Sequence, residues 1–303
     1  MRIKIGTRKS KLALWQAHHV AGLLENAGVE TELVTMETKG DKVLDVSISK
    51  IGSKGVFTEE LEEKLAQGEV DIAVHSAKDM QSRLPEGFEI IAFSEREKVN
   101  DVLVSDREVQ LTDSTLTIGT SSTRRVAMLR HYYRHIRVVD MRGNLQTRIQ
   151  KMKDGACDAL LLAYAGVHRM GYDDMIRQSI SIAEFTPAVG QGCMAIESHL
   201  QLDPAKKELV RTAVNHPPTE KTLLAERAFL KTMDGGCSIP VFGLATLSGD
   251  HLQIEGGIIE VDGSAIIRKK EIHPDPISAG ESLADQVLKA GGDRILQSIK
   301  DSL

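Results

Sequence analysis

Apolar positions along the first two-thirds of the chain switch repeatedly between two spacings. Ile3 and Ile5 alternate as in a strand. Ala13, Ala17, Val20, Leu24 and Ala27 then recur every three to four residues, as on one face of a helix. Ser10 stands where an N-cap is needed and Gly28 where a helix ends. Residues 30–36, "ETELVTM", alternate as a second strand. "TEELEEKLAQG" opens with acids, keeps helical spacing and closes on Gly68. "VDIAVH" and "DVLVS" (101–105) have the composition of buried strands. The alternation continues with a strand at 115–118, a helix at 121–133, a strand at 136–141, a helix at 144–153 and a strand at 158–163. This rhythm predicts an α/β fold built on largely parallel sheets.

The rhythm breaks in three places. Lys39 to Gly55 is polar, with four lysines and three glycines. It fits either a mobile lid or a plain solvated connection. "PAVGQGCMAIE" (187–197) has a glycine-rich turn followed by an apolar strand, and is expected to carry the chain back into the first domain. After "NHPPTE" (215–220) the composition shifts to a helix ending at Met233, the loop "DGGCSIP", short strands over 241–272 and a helix from about Ser278. "IGTRKSKLAL" (5–14) and "IGTSSTRRVAML" (118–129) echo each other, which argues for two similar α/β domains. The expected division is 1–97 with about 190–214, then 98–189, then a smaller α+β domain over 215–303.

Composition narrows the function classes. The chain has 303 residues, 41% hydrophobic and 27% charged, with a net charge of −5. A general nucleic-acid or membrane binder would be basic overall, so neither partner is expected. No apolar leader follows Met1 and no apolar run reaches transmembrane length. Cys157, Cys193 and Cys237 are too few and too scattered for a disulfide framework, so a reducing, cytoplasmic setting is expected.

Against this acidic background, cations and hydroxyls cluster after strand ends: Thr7-Arg8-Lys9-Ser10, Ser76-Ala77-Lys78-Asp79, Thr120 to Arg125, Arg142-Gly143-Asn144 and Val167-His168-Arg169. Ligands of open α/β sheets bind beyond the carboxyl ends of strands, and helix N-termini attract anions. Arginines there suit carboxylate or phosphate, whereas Arg130, Arg134 and Arg137 read as surface ion pairs. Asp79 in this cationic setting is either a helix cap balancing Lys78 or an acid that stabilises a cation and moves protons. Cys237 follows two glycines; it is either a small residue in a turn or an accessible nucleophile. Cys157 of "GACDALL" is expected in the core, and His18-His19 is expected to be partly exposed structure. Nothing in the sequence supports a metal.

The stretches "GTRKSKLALWQA", "KGVFTEELEEKL", "DIAVHSAKDM", "GTSSTRRVAML", "RGNLQTR", "LLLAYAGVHRMG", "PAVGQGCMAIE" and "ERAFLKTMDGGCSIPV" together resemble the porphobilinogen deaminase (hydroxymethylbilane synthase) family, in family order from residue 6 to about 241. The resemblance implies two domains like the lobes of periplasmic binding proteins plus a third. It implies a dipyrromethane cofactor joined to Cys237 through a thioether. It implies head-to-tail condensation of four porphobilinogens with loss of ammonia, then release of hydroxymethylbilane by water, in haem and related tetrapyrrole synthesis. By the same resemblance Asp79 is the catalytic carboxylate. Arg8, Lys78, Arg124, Arg125, Arg142, Arg148 and Arg169 hold the acetate and propionate groups of the pyrroles. Ser76, Thr120 and Ser122 add hydrogen bonds, Gln16 helps orient Arg8, and Lys54 lies on the active-site flap. The family also implies a monomer.

Overall fold

The computed structural model describes residues 1–38, 58–236, 238–249 and 251–302. The polar stretch from Lys39 to Gly55, with Lys54, and Cys237 lie outside the described residues.

Two five-stranded sheets carry the first two-thirds of the chain. The first contains β1 (Arg2–Arg8), β2 (Glu30–Met36), β3 (Ile72–Ser76), β4 (Phe88–Phe93) and β10 (Met194–His199), in the order β2-β1-β3-β10-β4. The second contains β5 (Asp101–Val104), β6 (Thr117–Gly119), β7 (Arg137–Val139), β8 (Ala159–Ala163) and β9 (Ile176–Ser179), in the order β7-β6-β8-β5-β9. The two orders match strand for strand. In each sheet one strand runs against the other four: β10 is antiparallel to β3 and β4, and β5 is antiparallel to β8 and β9. Each of these strands follows a crossover from the other sheet, so the chain passes between the sheets twice.

The elements form for local reasons that were largely readable. Helix α1 (Lys11–Asn26) begins where the Ser10 hydroxyl accepts from the Ala13 N–H, and it is followed by Gly28 at φ +79°. Its Ala17, Val20 and Leu24 pack on Ile3, Ile5, Ile72, Val74 and Ile196 of the first sheet, with Val210 and Val214 of α6 (Pro204–Val214). Helix α2 (Glu59–Ala66) carries three acids in its first turn. In the second sheet, α3 (Thr123–Tyr132) packs Ala127, Met128 and Leu129 on Ile118 and Leu161, while α4 (Leu145–Lys153) buries Ile149 and Met152 against Leu160 and Leu162. The short helix α5 (Tyr164–Arg169) comes directly after β8.

Four elements were not anticipated: β4, α5, β9 and α6. Arg130 also differs from expectation. Its guanidinium donates to the Val261 carbonyl at 2.9 Å, tying α3 to the third sheet, besides acting on the charge of the exposed Asp262.

The third sheet is an antiparallel meander of β11 (Val241–Ser248), β12 (His251–Ile259) and β13 (Ile266–His273). It is covered by α7 (Pro217–Thr232) and α8 (Pro276–Val287), which bury Phe229, Leu283 and Val287 against Ile254 and Ile258, with α9 (Asp293–Ser302) alongside. Glu226 on α7 fastens this unit to both crossovers. Its fully buried carboxylate pairs with Arg96 on one crossover and accepts from the Gly190 N–H on the other at 2.9 Å. It also accepts from the Ala245 N–H of β11 at 2.9 Å.

Candidate active site

Parallel strands end on the same edge of a sheet, so the fold gathers there the residues that come next in the chain. On the first sheet this edge receives Arg8 from β1 and Ser76-Ala77-Lys78-Asp79 from β3. On the second it receives Thr120 to Arg125 after β6, Arg142 after β7 and Arg169 after β8. The helices that open at these edges favour anions as well. Neither α1, α3 nor α4 has an acid in its first turn, in contrast to α2.

Asp79 closes a short 3-10 turn, Ala77–Asp79, directly beyond β3. Together with Arg8, Gln16 and Ser76 it lines a surface recess. Gln16 is buried, and its Nε2 donates to Ser76 Oγ at 2.9 Å, so it orients the serine hydroxyl. The turn is held from behind by the second crossover, where the Ala77 N–H donates to the Cys193 carbonyl. Gly190 has φ +76°, and a Cβ on it would sit 2.7 Å from the Ala77 carbonyl carbon and 2.8 Å from the Lys78 nitrogen. Only glycine lets the crossover pass this close to the Asp79 turn.

On the second sheet, Arg124 and Arg125 are 5% and 6% exposed, and their guanidinium groups converge on Asp101, the first residue of β5. Arg124 Nη2 donates to Asp101 Oδ2 at 2.7 Å, and Arg125 donates to Oδ1 through Nη2 at 2.8 Å and Nε at 3.1 Å. Gln191 Nε2 adds a bond to Oδ1 at 3.0 Å. Burial opposes the charge on Asp101, but the two arginines outweigh it and hold the carboxyl below its ordinary range. Arg124 also reaches the Thr186 carbonyl, yet its Nε is buried with no hydrogen-bond partner. Two guanidinium groups share one carboxylate here, so the cluster retains positive charge.

Of the remaining cations, Lys78 and Arg148 interact with this cluster. Burial pulls Lys78 below the usual lysine range; Asp79 and Asp101 oppose this, and Arg125 and Arg124 reinforce it. Arg148 donates to the Gly143 carbonyl at 2.7 Å; burial, then Arg125 and Arg142, lower its pKa, while Asp79 and Asp140 resist. Arg142 pairs with Asp140 at 3.2 Å. Thr120 is buried and accepts from the Ser122 N–H, and Ser122 precedes α3 without capping it through its side chain. Arg169 donates to the Gly192 carbonyl at 2.8 Å and lies 5.4 Å from the centre of the Trp15 ring. Its pKa is lowered by burial, with Cys193 and Glu97 opposing. Lys78 and Arg148 thus feel charges from both sheets.

Sequence reasoning missed Asp101, Gln191, Gly190 and Trp15. Asp101 looked like an ordinary strand residue, and nothing local marked its burial between arginines. Of the cysteines, Cys157 and Cys193 are buried and free, and burial pushes the Cys193 thiol up to about 11.

The donor set suits a polycarboxylate cofactor. It presents more guanidinium than carboxylate, a buried and unpartnered Arg124 Nε, and helix starts free of acids. The comparisons with known proteins agree. The family model "Porphobilinogen deaminase, dipyromethane cofactor binding domain" matches residues 3–206, and the model of the C-terminal domain of the same family matches residues 221–289. A porphobilinogen deaminase of Cytophaga hutchinsonii is 55% identical over 306 aligned positions, covering 99% of this chain and 98% of the relative. One of Desulfosudis oleivorans is 53% identical over 305 positions with the same coverage. Among solved structures, the methionine-binding protein MetQ aligns over 70% of this chain and 89% of its own, at 11% identity and a TM-score of 0.44. On its sequence relatives, matched over nearly their full length, this chain belongs to the porphobilinogen deaminase family, and its first two-thirds is that family's dipyrromethane cofactor-binding region.

Proposed function

We propose that this chain joins four porphobilinogens head to tail, releasing four ammonias, and that water then frees hydroxymethylbilane for tetrapyrrole synthesis. The observation that carries this reading is the surplus of guanidinium over carboxylate at the two sheet edges, with Asp79 on the turn directly beyond β3. A pyrrole chain bearing an acetate and a propionate on every ring needs such a surplus.

In this reading Arg124, Arg125, Arg142, Arg148, Arg169, Arg8 and Lys78 bind the ring carboxylates, and Ser76, Thr120 and Ser122 donate hydrogen bonds. Gln16 acts through Ser76, to which it is bonded, as well as toward Arg8. Lys54, outside the described residues, joins the binding set through the family resemblance alone. Cys237 holds the dipyrromethane through a thioether. When bound, that group supplies the pyrrole terminus on which the chain is built. Asp79 accepts a hydrogen bond from a pyrrole N–H and stabilises the cation left when porphobilinogen loses ammonia. It also takes up the proton that leaves the α-carbon when two rings join. A lysine or arginine at this point would repel that cation.

The division into 1–97 with 190–214, 98–189 and 215–303 is supported by strand membership, since β10 joins β1 to β4 and β11 to β13 form a separate sheet. We further take the protein to be a cytoplasmic monomer. Two of its three cysteines are free and buried, and no helix among the described residues is long and apolar enough to cross a membrane.

Denatured intact-mass analysis combined with turnover tests the reading. Wild type and Asp79→Asn should both carry the dipyrromethane mass, and Cys237→Ser should not. Asp79→Asn should lose turnover by about 100-fold or more. A full adduct on Cys237→Ser, or near-normal elongation by Asp79→Asn, would overturn the assignment.

A further inference from the structure

The cations of the site are held in two chemically different ways. Arg124 and Arg125 are fixed by the carboxylate of Asp101, which cancels part of their charge. Arg169 makes no salt bridge among the described residues. A backbone carbonyl, Gly192, and the face of Trp15 hold it instead. The Trp15 ring belongs to α1 on the first sheet, and Arg169 ends α5 on the second, so this contact spans the two lobes. The helices touch next to it: Leu12 Cδ2 lies 3.8 Å from the point a Cβ on Gly166 would occupy. Trp15 is itself steadied by His19 one turn on, with ring centres 5.3 Å apart and planes 10° from parallel. Arg169 in turn contributes, after burial, to lowering the pKa of His19.

A π-face attracts a guanidinium through its quadrupole and carries no net charge. It can therefore orient an arginine while leaving its full charge available to an incoming carboxylate. We propose that Trp15 is a positioning residue for Arg169, holding that guanidinium across the cleft in a binding-ready but unneutralised state. This rests on the reading that Arg169 binds a substrate carboxylate.

The chain has one tryptophan, so its fluorescence reports the surroundings of Trp15, the Arg169 contact among them. In holoenzyme, Arg169→Gln should shift Trp15 emission and change its quenching by acrylamide. Unchanged emission and quenching would overturn the contact, whatever the activity. In steady-state assays with porphobilinogen, Trp15→Leu should raise KM about threefold to tenfold while kcat stays within about twofold, and Trp15→Phe should restore most of the loss. Combining Trp15→Leu with Arg169→Gln should add little to Arg169→Gln alone. If Arg169→Gln raises KM and Trp15→Leu does not, the positioning role is wrong and the binding role of Arg169 stands. If Arg169→Gln itself leaves KM unchanged, the binding role fails and the proposal falls with it. Should Trp15→Leu not fold, the fluorescence of Arg169→Gln and the KM of Trp15→Phe still decide the matter. In that case a large KM rise in Trp15→Phe, with the aromatic face retained, counts against the proposal.

Discussion

Asp101 and Glu197 sit on the two strands that run against their neighbours, β5 in the second sheet and β10 in the first, and both carboxylates are fully buried. Their surroundings differ. Asp101 receives two arginines and Gln191, with every bond between 2.7 and 3.1 Å. Glu197 faces His75 Nε2 at 3.0 Å, but neither of its oxygens nor that nitrogen makes a well-aligned hydrogen bond. A second acid, Glu62 of α2, is buried nearby and accepts from Gln81 Nε2 at 3.2 Å. The same topological position thus serves two ends. In the second sheet a buried acid holds two buried arginines together, close enough to act on Lys78. In the first, a buried acid belongs to a packed polar cluster between β3, β10 and α2, behind the strand that delivers Asp79.

The largest effect is expected from Asp101→Asn. It leaves two buried guanidinium groups without a charged partner, a change that typically costs about 3–5 kcal/mol. Urea unfolding of the wild type and the variant measures it. The acid limb should change as well. The folded-state pKa of Asp101 is depressed, so its stabilisation is complete above the unfolded carboxylate's value of about 4 and is lost as pH falls towards the folded value. Asp101→Asn should therefore flatten the fall in stability below about pH 4. A variant as stable as wild type, with the same acid slope, would break the contrast between the two acids.

Glu197→Gln should cost less, about 1–2 kcal/mol, because its contact to His75 is imperfectly aligned and Arg227 acts on it without an ion pair. A loss as large as that of Asp101→Asn would show that the two clusters carry similar weight. The smallest effect, and one of opposite sign, is expected at Glu62. Burial first, then Glu197 and Glu59, raise its pKa, while Thr58 and His75 oppose. A raised folded pKa in an acid means that stability declines as pH rises past the unfolded value. Glu62→Gln should thus be neutral or stabilising at pH 7, and the gain should vanish near about pH 4. Thermal unfolding at the two pH values checks this; a destabilised variant at pH 7 would mean that the ionised carboxylate is needed for the Gln81 bond.

Much of the architecture was legible. The spacing of Ala17, Val20 and Leu24 picked out the buried face of α1, and Ser10 and Gly28 marked its ends. The clusters after strand ends were found because parallel strands bring their carboxyl ends to one edge. Other elements were not seen. "FEIIAF" of β4 is an apolar run with no period to separate strand from helix. "IRQS" of β9 is half-polar and forms where β5 offers an open edge. Helix α6 did carry a signal, since Asp203 caps it just before Pro204.

Caps, glycine turns and hydrophobic periods act over a few residues, and so the order and type of most elements, and the location of the cation clusters, could be read directly along the chain. Pairing acts through space. Asp101 meets Arg124 and Arg125 because β5 enters the second sheet from a crossover. Trp15 meets Arg169 because the two lobes bring α1 against α5. Which cations are neutralised and which stay available depends on these distances and on burial, and neither is encoded in any local stretch of residues.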